Sequence, residues 1–115
     1  MDLALWTPRP PLAWTVLVTA GALEVLWLVA LKRSVSGAEP LYGLASVAIA
    51  WLSFALLAVT LRTLPAGTAY AVWTGVGAAG GALAGAFLFG ESLSGVRLAS
   101  LVLIVVGIIG VKAGS

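Results

Sequence analysis

The chain has 115 residues, of which 62% are hydrophobic and 9% charged, with a net charge of +2 and neither Cys nor His. Soluble globular domains average about 25% charged residues, so this composition excludes an ordinary water-soluble fold and places the chain in a bilayer. Disulfides, thiolate chemistry and His- or Cys-ligated metal are excluded as well, and so few scattered cations make no nucleic-acid surface.

Residues 1–11, MDLALWTPRPP, form a Pro-rich lead-in expected to be poorly ordered, because its prolines should hold off a helix until after Pro11. A single transmembrane domain is then predicted over 12–113. Its first helix, 14–31, is apolar apart from Glu24 and ends at Lys32-Arg33. A cleavable signal peptide fits badly, since this run holds a carboxylate and follows an Asp and prolines rather than a basic start. The next stretch, Ser34 to Pro40, reads as a loop.

Residues 40–61 and 63–90 carry no charge, and each is long enough for the ~20 apolar residues of a membrane span. A second helix is predicted over 41–61, with Gly43, Ser46, Ala50 and Ser53 on one face for close approach of a neighbour. Pro65 opens a third helix, 66–89, whose Gly77, Gly81 and Gly85 repeat every fourth residue. Lipid leaves such a helix no better hydrogen-bonded alternative, so it survives, and Gly75, Gly77 and Gly81 are assigned to packing and to a hinge. The fourth helix is predicted over 94–112, with small residues Ser100, Gly107 and Gly110.

The fold class is therefore an all-α membrane protein with four transmembrane helices per chain. Four spans put Arg9, Arg62 and Lys112 at one face and Lys32, Arg33 and Arg97 at the other. Lys and Arg bias orients small membrane proteins, and this count has none. Two copies inserted in opposite orientations would supply the inverted halves that secondary transporters use, giving an antiparallel, dual-topology homodimer of eight helices.

Glu24 lies ~15 Å past Trp14 at ~1.5 Å per residue, near the middle of the bilayer. An ionised acid at that depth costs ~2.5 to 3.5 kcal/mol, and protonation removes most of it. Loss of that proton can thus be coupled to capture of a cation. Gly21 and Trp27, three residues to either side, share its helix face, one leaving room beside the carboxylate and the other offering a π surface. Tyr70, Trp73 and Gly77 form a comparable stripe on the third helix, and with the Ser53 face they would build an aromatic box around the acid, Ser53 orienting the carboxylate by a hydrogen bond. The plainer alternatives are a structural role for Glu24, an interfacial belt for Trp6, Trp14 and Trp51, and solvated loop positions for Glu39 and Glu91.

Gly21-Ala22-Leu23-Glu24-Val25-Leu26-Trp27, followed by Ala30-Leu31-Lys32, resembles the first helix of the small multidrug resistance family. Residues 62–77, RTLPAGTAYAVWTGVG, resemble that family's third-helix signature, and the likeness covers about 12–113. It implies a multi-pass protein of the inner (plasma) membrane, four helices per chain in an antiparallel homodimer, with helix four forming much of the contact. It further implies that Glu24 binds proton and substrate in turn, with Gly21, Trp27, Ser53, Tyr70 and Trp73 around it. Within the family these motifs look more like the guanidinium-exporter subtype than the polyaromatic-drug subtype. The expected activity is proton-coupled export of guanidinium and small guanidinyl cations, protons being the coupling ion and no cofactor being required. Alternatives are an exporter of quaternary ammonium or larger aromatic cations, and a non-transporting membrane assembly protein. Lipid-carrier flippase subunits share the plan but not the acid between Gly21 and Trp27, and an enzyme is improbable without Cys, His or a phosphate loop.

Overall fold

The computed structural model describes residues 6–37 and 39–115. Four helices follow one another: α1 Pro10–Gly37, α2 Pro40–Thr60, α3 Ala66–Phe89 and α4 Gly95–Ala113. All four are long and apolar enough to cross a membrane. At 1.5 Å per residue α1 is about 42 Å long and α4 about 29 Å, so α1 overreaches a ~30 Å hydrocarbon core while α4 just matches it.

Helix ends differ from expectation mainly in α1. It begins at Pro10 rather than after Pro11, because a proline in the first turn lacks only an N–H that has no intrahelical partner anyway. The Ala13 N–H bonds the Arg9 carbonyl at 2.8 Å and closes that turn. At the other end the helix runs through Lys32-Arg33 to Gly37, with the Ser36 hydroxyl bonding back to the Lys32 carbonyl at 2.6 Å. Basic residues do not stop a helix, and Pro40, which does impose a boundary, serves as the first residue of α2. The predicted loop from Ser34 therefore shrinks to two residues, of which 38 lies outside the described set. α3 has the predicted bounds, and α4 is capped by Ser94, whose Oγ accepts the Arg97 N–H at 3.2 Å.

The chain is a flat slab, 43 × 35 × 17 Å. α1 is central and packs on α2 and α3, while the α4 backbone packs against α3. The apolar core lies toward the end that holds both termini: Ala13, Leu17 and Ala20 of α1, Leu57 of α2, Leu64 of the turn, and Ala69, Val72 and Trp73 of α3. Residues 1–5 of the lead-in fall outside the described residues. In 6–9, the Trp6 carbonyl accepts from Arg62 Nη1 at 2.7 Å and the Pro8 carbonyl from Thr63 Oγ1 at 2.5 Å. At this same end Lys112 lies over the Trp14 ring, 5.3 Å from its centroid. At the opposite end Arg33 lies 5.7 Å from the Phe89 ring centroid. The two groups of cations thus separate to the two ends.

Candidate functional site

Glu24 sits midway along α1, about 21 Å from its start and about 20 Å from its end at 1.5 Å per residue. Its carboxylate lies against α3, over Gly77. A Cβ added to Gly77 would stand 3.0 Å from Glu24 Cδ and 3.1 Å from Glu24 Cβ, and would overlap Oε2 outright. The missing side chain of Gly77 is the seat of the acid. Among the described residues no hydrogen bond or ion pair reaches this carboxylate, which is only partly buried in the single chain. An acid at mid-membrane depth with both oxygens unengaged can accept either a proton or the N–H groups of a cation.

Gly21 does something other than expected. Its empty Cβ position is 2.7 Å from Val76 Cβ and 3.4 Å from the Trp73 carbonyl oxygen. The space it leaves is filled by Val76, so Gly21 brings α1 and α3 together instead of making room beside the carboxylate. The cause is rotation: Gly21 faces the turn of α3 before Gly77, while Glu24 faces Gly77 itself. Gly80 and Gly81 extend the seam: a Cβ added there would stand 2.6 Å from Val25 Cγ2 and 2.9 Å from Leu28 Cδ2 respectively. Gly75 looks the other way, toward Ile108 of α4 at 2.9 Å. α3 is continuously helical through residues 75–81.

Ser53 also departs from expectation. It is fully buried, and its hydroxyl donates to the Ala20 carbonyl at 2.7 Å while accepting from Trp73 Nε1 at 3.0 Å. Its one proton is committed to Ala20, so it orients Trp73 and not Glu24. The indole it holds is 7% exposed and anchors an aromatic group: Tyr70 at 5.9 Å and 50°, and Phe54 edge-on at 5.4 Å and 66°. Tyr70 is 61% exposed. Trp27 makes no ring contact with this group among the described residues, and its carbonyl accepts from Ser46 Oγ at 2.8 Å. The expected box is thus half-built within one chain, from Tyr70, Trp73 and Phe54. The residue missed in the sequence is Phe54, whose only signal was its place beside Ser53. Glu91 is an exposed loop residue as expected, and its carboxylate additionally folds back over Gly85.

Four helices long and apolar enough to cross a membrane, with a mid-depth carboxylate on α1 that has no hydrogen-bond or ion-pair partner among the described residues, define a small multi-pass membrane protein. The Small Multidrug Resistance protein family matches residues 12–104, and the chain belongs to that family. It is similar to the guanidinium exporter of Escherichia coli (strain K12), with 50% identity over 101 residues, covering 88% of this chain and 96% of that one. The guanidinium exporters of Citrobacter freundii and Salmonella typhimurium match at the same identity and coverage. The chain is accordingly an inner-membrane transport protein and not an enzyme.

Proposed function

We propose that this protein exports guanidinium and small guanidinyl cations in exchange for protons, with Glu24 taking proton and substrate in turn. The observation that carries the reading is the Glu24 carboxylate seated over Gly77, with no hydrogen-bond or ion-pair partner among the described residues. Guanidinium presents a planar fork of N–H groups that matches both carboxylate oxygens, an arrangement closed to quaternary ammonium. Each charge-assisted hydrogen bond contributes about 1.5 to 3 kcal/mol, and both are lost if the carboxylate is protonated or reoriented. Tyr70, exposed and packed on the Trp73 ring that Ser53 fixes, offers a π face to a planar cation. The names of the 50%-identical relatives point to the same substrate.

The acting unit in this proposal is an antiparallel homodimer. None of the residues of α4 is buried in the single chain, and the cations divide three to each end. A second, inverted copy would cover α4, complete the half-built aromatic box, and let α3 swing about its glycine segment to open the acid to either face. The test is isothermal titration of guanidinium, methylguanidine and tetraethylammonium in micelles across pH, for wild type and Glu24→Gln. Expected are weakening guanidinium affinity as pH falls, approaching about tenfold per pH unit where one proton is displaced, and loss of that pH-dependent, wild-type-affinity binding in the Gln variant. Binding that is independent of pH, or that keeps wild-type affinity in Glu24→Gln, refutes the mechanism. Tighter binding of tetraethylammonium refutes the substrate assignment.

A further inference from the structure

A second carboxylate rests on the same glycine seam. At the end of α3 Gly90 takes a left-handed conformation, φ 66°, and the Glu91 N–H bonds back to the Gly85 carbonyl at 3.2 Å. This turn lays the Glu91 carboxylate back over α3 while the residue stays exposed. Its Cδ lies 3.0 Å from where a Gly85 Cβ would be, with Oε1 closer still. Glu24 over Gly77 and Glu91 over Gly85 therefore occupy equivalent seats, about 12 Å apart along α3 at 1.5 Å per residue. Leu28, over Gly81, stands between them.

Glu91 borders a cavity of about 80 Å³, formed with Leu28, Lys32, Gly81, Gly85 and Phe89. The Phe89 ring already carries a guanidinium, that of Arg33. Among the described residues Glu91 has no ion-pair partner, although Lys32 lines the same cavity. An unpaired carboxylate, an aromatic face occupied by a guanidinium group, and a small cavity on the seam that leads to Glu24 meet at one end of the bundle.

We infer that Glu91 and Phe89 form a peripheral site for a planar guanidinium-type cation, a waypoint between water and Glu24. This rests on the export reading above. The incoming cation takes the place of the Arg33 guanidinium on Phe89, bonds the Glu91 carboxylate, and reaches Glu24 when Leu28 moves off Gly81. Lys32 limits its dwell time by competing for Glu91.

The test compares wild type, Glu91→Gln and Glu91→Asp in proteoliposomes. Glu91→Gln is expected to raise the KM for guanidinium roughly threefold to tenfold at low ionic strength. The difference should close at high salt, with Glu91→Asp in between. Equilibrium affinity at Glu24, read by titration, should stay within about twofold of wild type, since a waypoint alters access and not the final complex. In the Glu24→Gln background, millimolar guanidinium should still shift the NMR signals of labelled Phe89, and Glu91→Gln should abolish that shift. A Glu91→Gln variant with wild-type KM and salt dependence overturns the waypoint while leaving the export reading intact. Loss of thermal stability together with affinity in Glu91→Gln overturns it in favour of a structural cap. A wild-type protein that moves no guanidinium refutes the export reading and takes the waypoint with it.

Discussion

Gly77→Ala adds one methyl where the acid is seated. The new Cβ would lie 3.0 Å from Glu24 Cδ and inside contact distance of Oε2, while ordinary carbon contacts begin at about 3.5 Å. The carboxylate must rotate away from α3. For the fold, replacing a helical Gly gains about 1 kcal/mol of propensity, against about 1 to 3 kcal/mol for overpacking. The net change is near 0 to 2 kcal/mol, and the helix bundle persists. For the ligand, displacement of the carboxylate removes one of two charge-assisted hydrogen bonds, about 1.5 to 3 kcal/mol. That corresponds to roughly a 10- to 150-fold rise in Kd for guanidinium. Gly81→Ala meets only the tip of a Leu28 side chain at 2.9 Å, which can turn aside, and should bind guanidinium as wild type does. The assay is calorimetric titration of both variants at one alkaline pH, with thermal unfolding in the same detergent as the check on folding. A Gly77→Ala protein that binds within twofold of wild type would show that the seat over Gly77 does not hold the acid for its ligand.

Ser53→Ala strands the Trp73 indole N–H among buried atoms and should cost about 1 to 3 kcal/mol, read as a lowered unfolding midpoint with weakened guanidinium binding. Gly75→Ala drives a methyl into Ile108 at 2.9 Å; cross-linking between copies through α4 should fall, and Ile108→Val should restore part of it. Thr63→Ala removes the bond to the Pro8 carbonyl and should lower stability by about 0.5 to 1.5 kcal/mol while leaving guanidinium flux unchanged. Susceptibility of the lead-in to limited proteolysis reports that loss directly.

The spans were legible because a ~20-residue requirement for apolar helix leaves few ways to divide a chain with ten charges. Glu24 was legible for the complementary reason, as a carboxylate that no solvated loop could explain. The ends of α1 were misread because Lys32 and Arg33 mark the membrane boundary, which a helix is free to cross, whereas Pro10 and Pro40 are helix starts. The exchange of roles between Gly21 and Gly77, and the commitment of Ser53 to Trp73, depend on how α3 is rotated about its own axis against α1 and α2. Neither helix records that angle in its own residues; it is a property of their joint packing. Glu91 escaped for a local reason. One left-handed glycine reverses the direction of the chain, and Gly90 among so many glycines carried no distinguishing mark.

α4 packs mainly on α3 and leaves Val102, Leu103, Val106 and Ile109 uncovered. If a twin copy is what shields them, folding and pairing share one equilibrium, and the surface density of the protein in its bilayer enters the balance. Sparse synthesis would then strand unpaired chains in the lipid, so that output rises more steeply than expression and silence below a threshold needs no repressor.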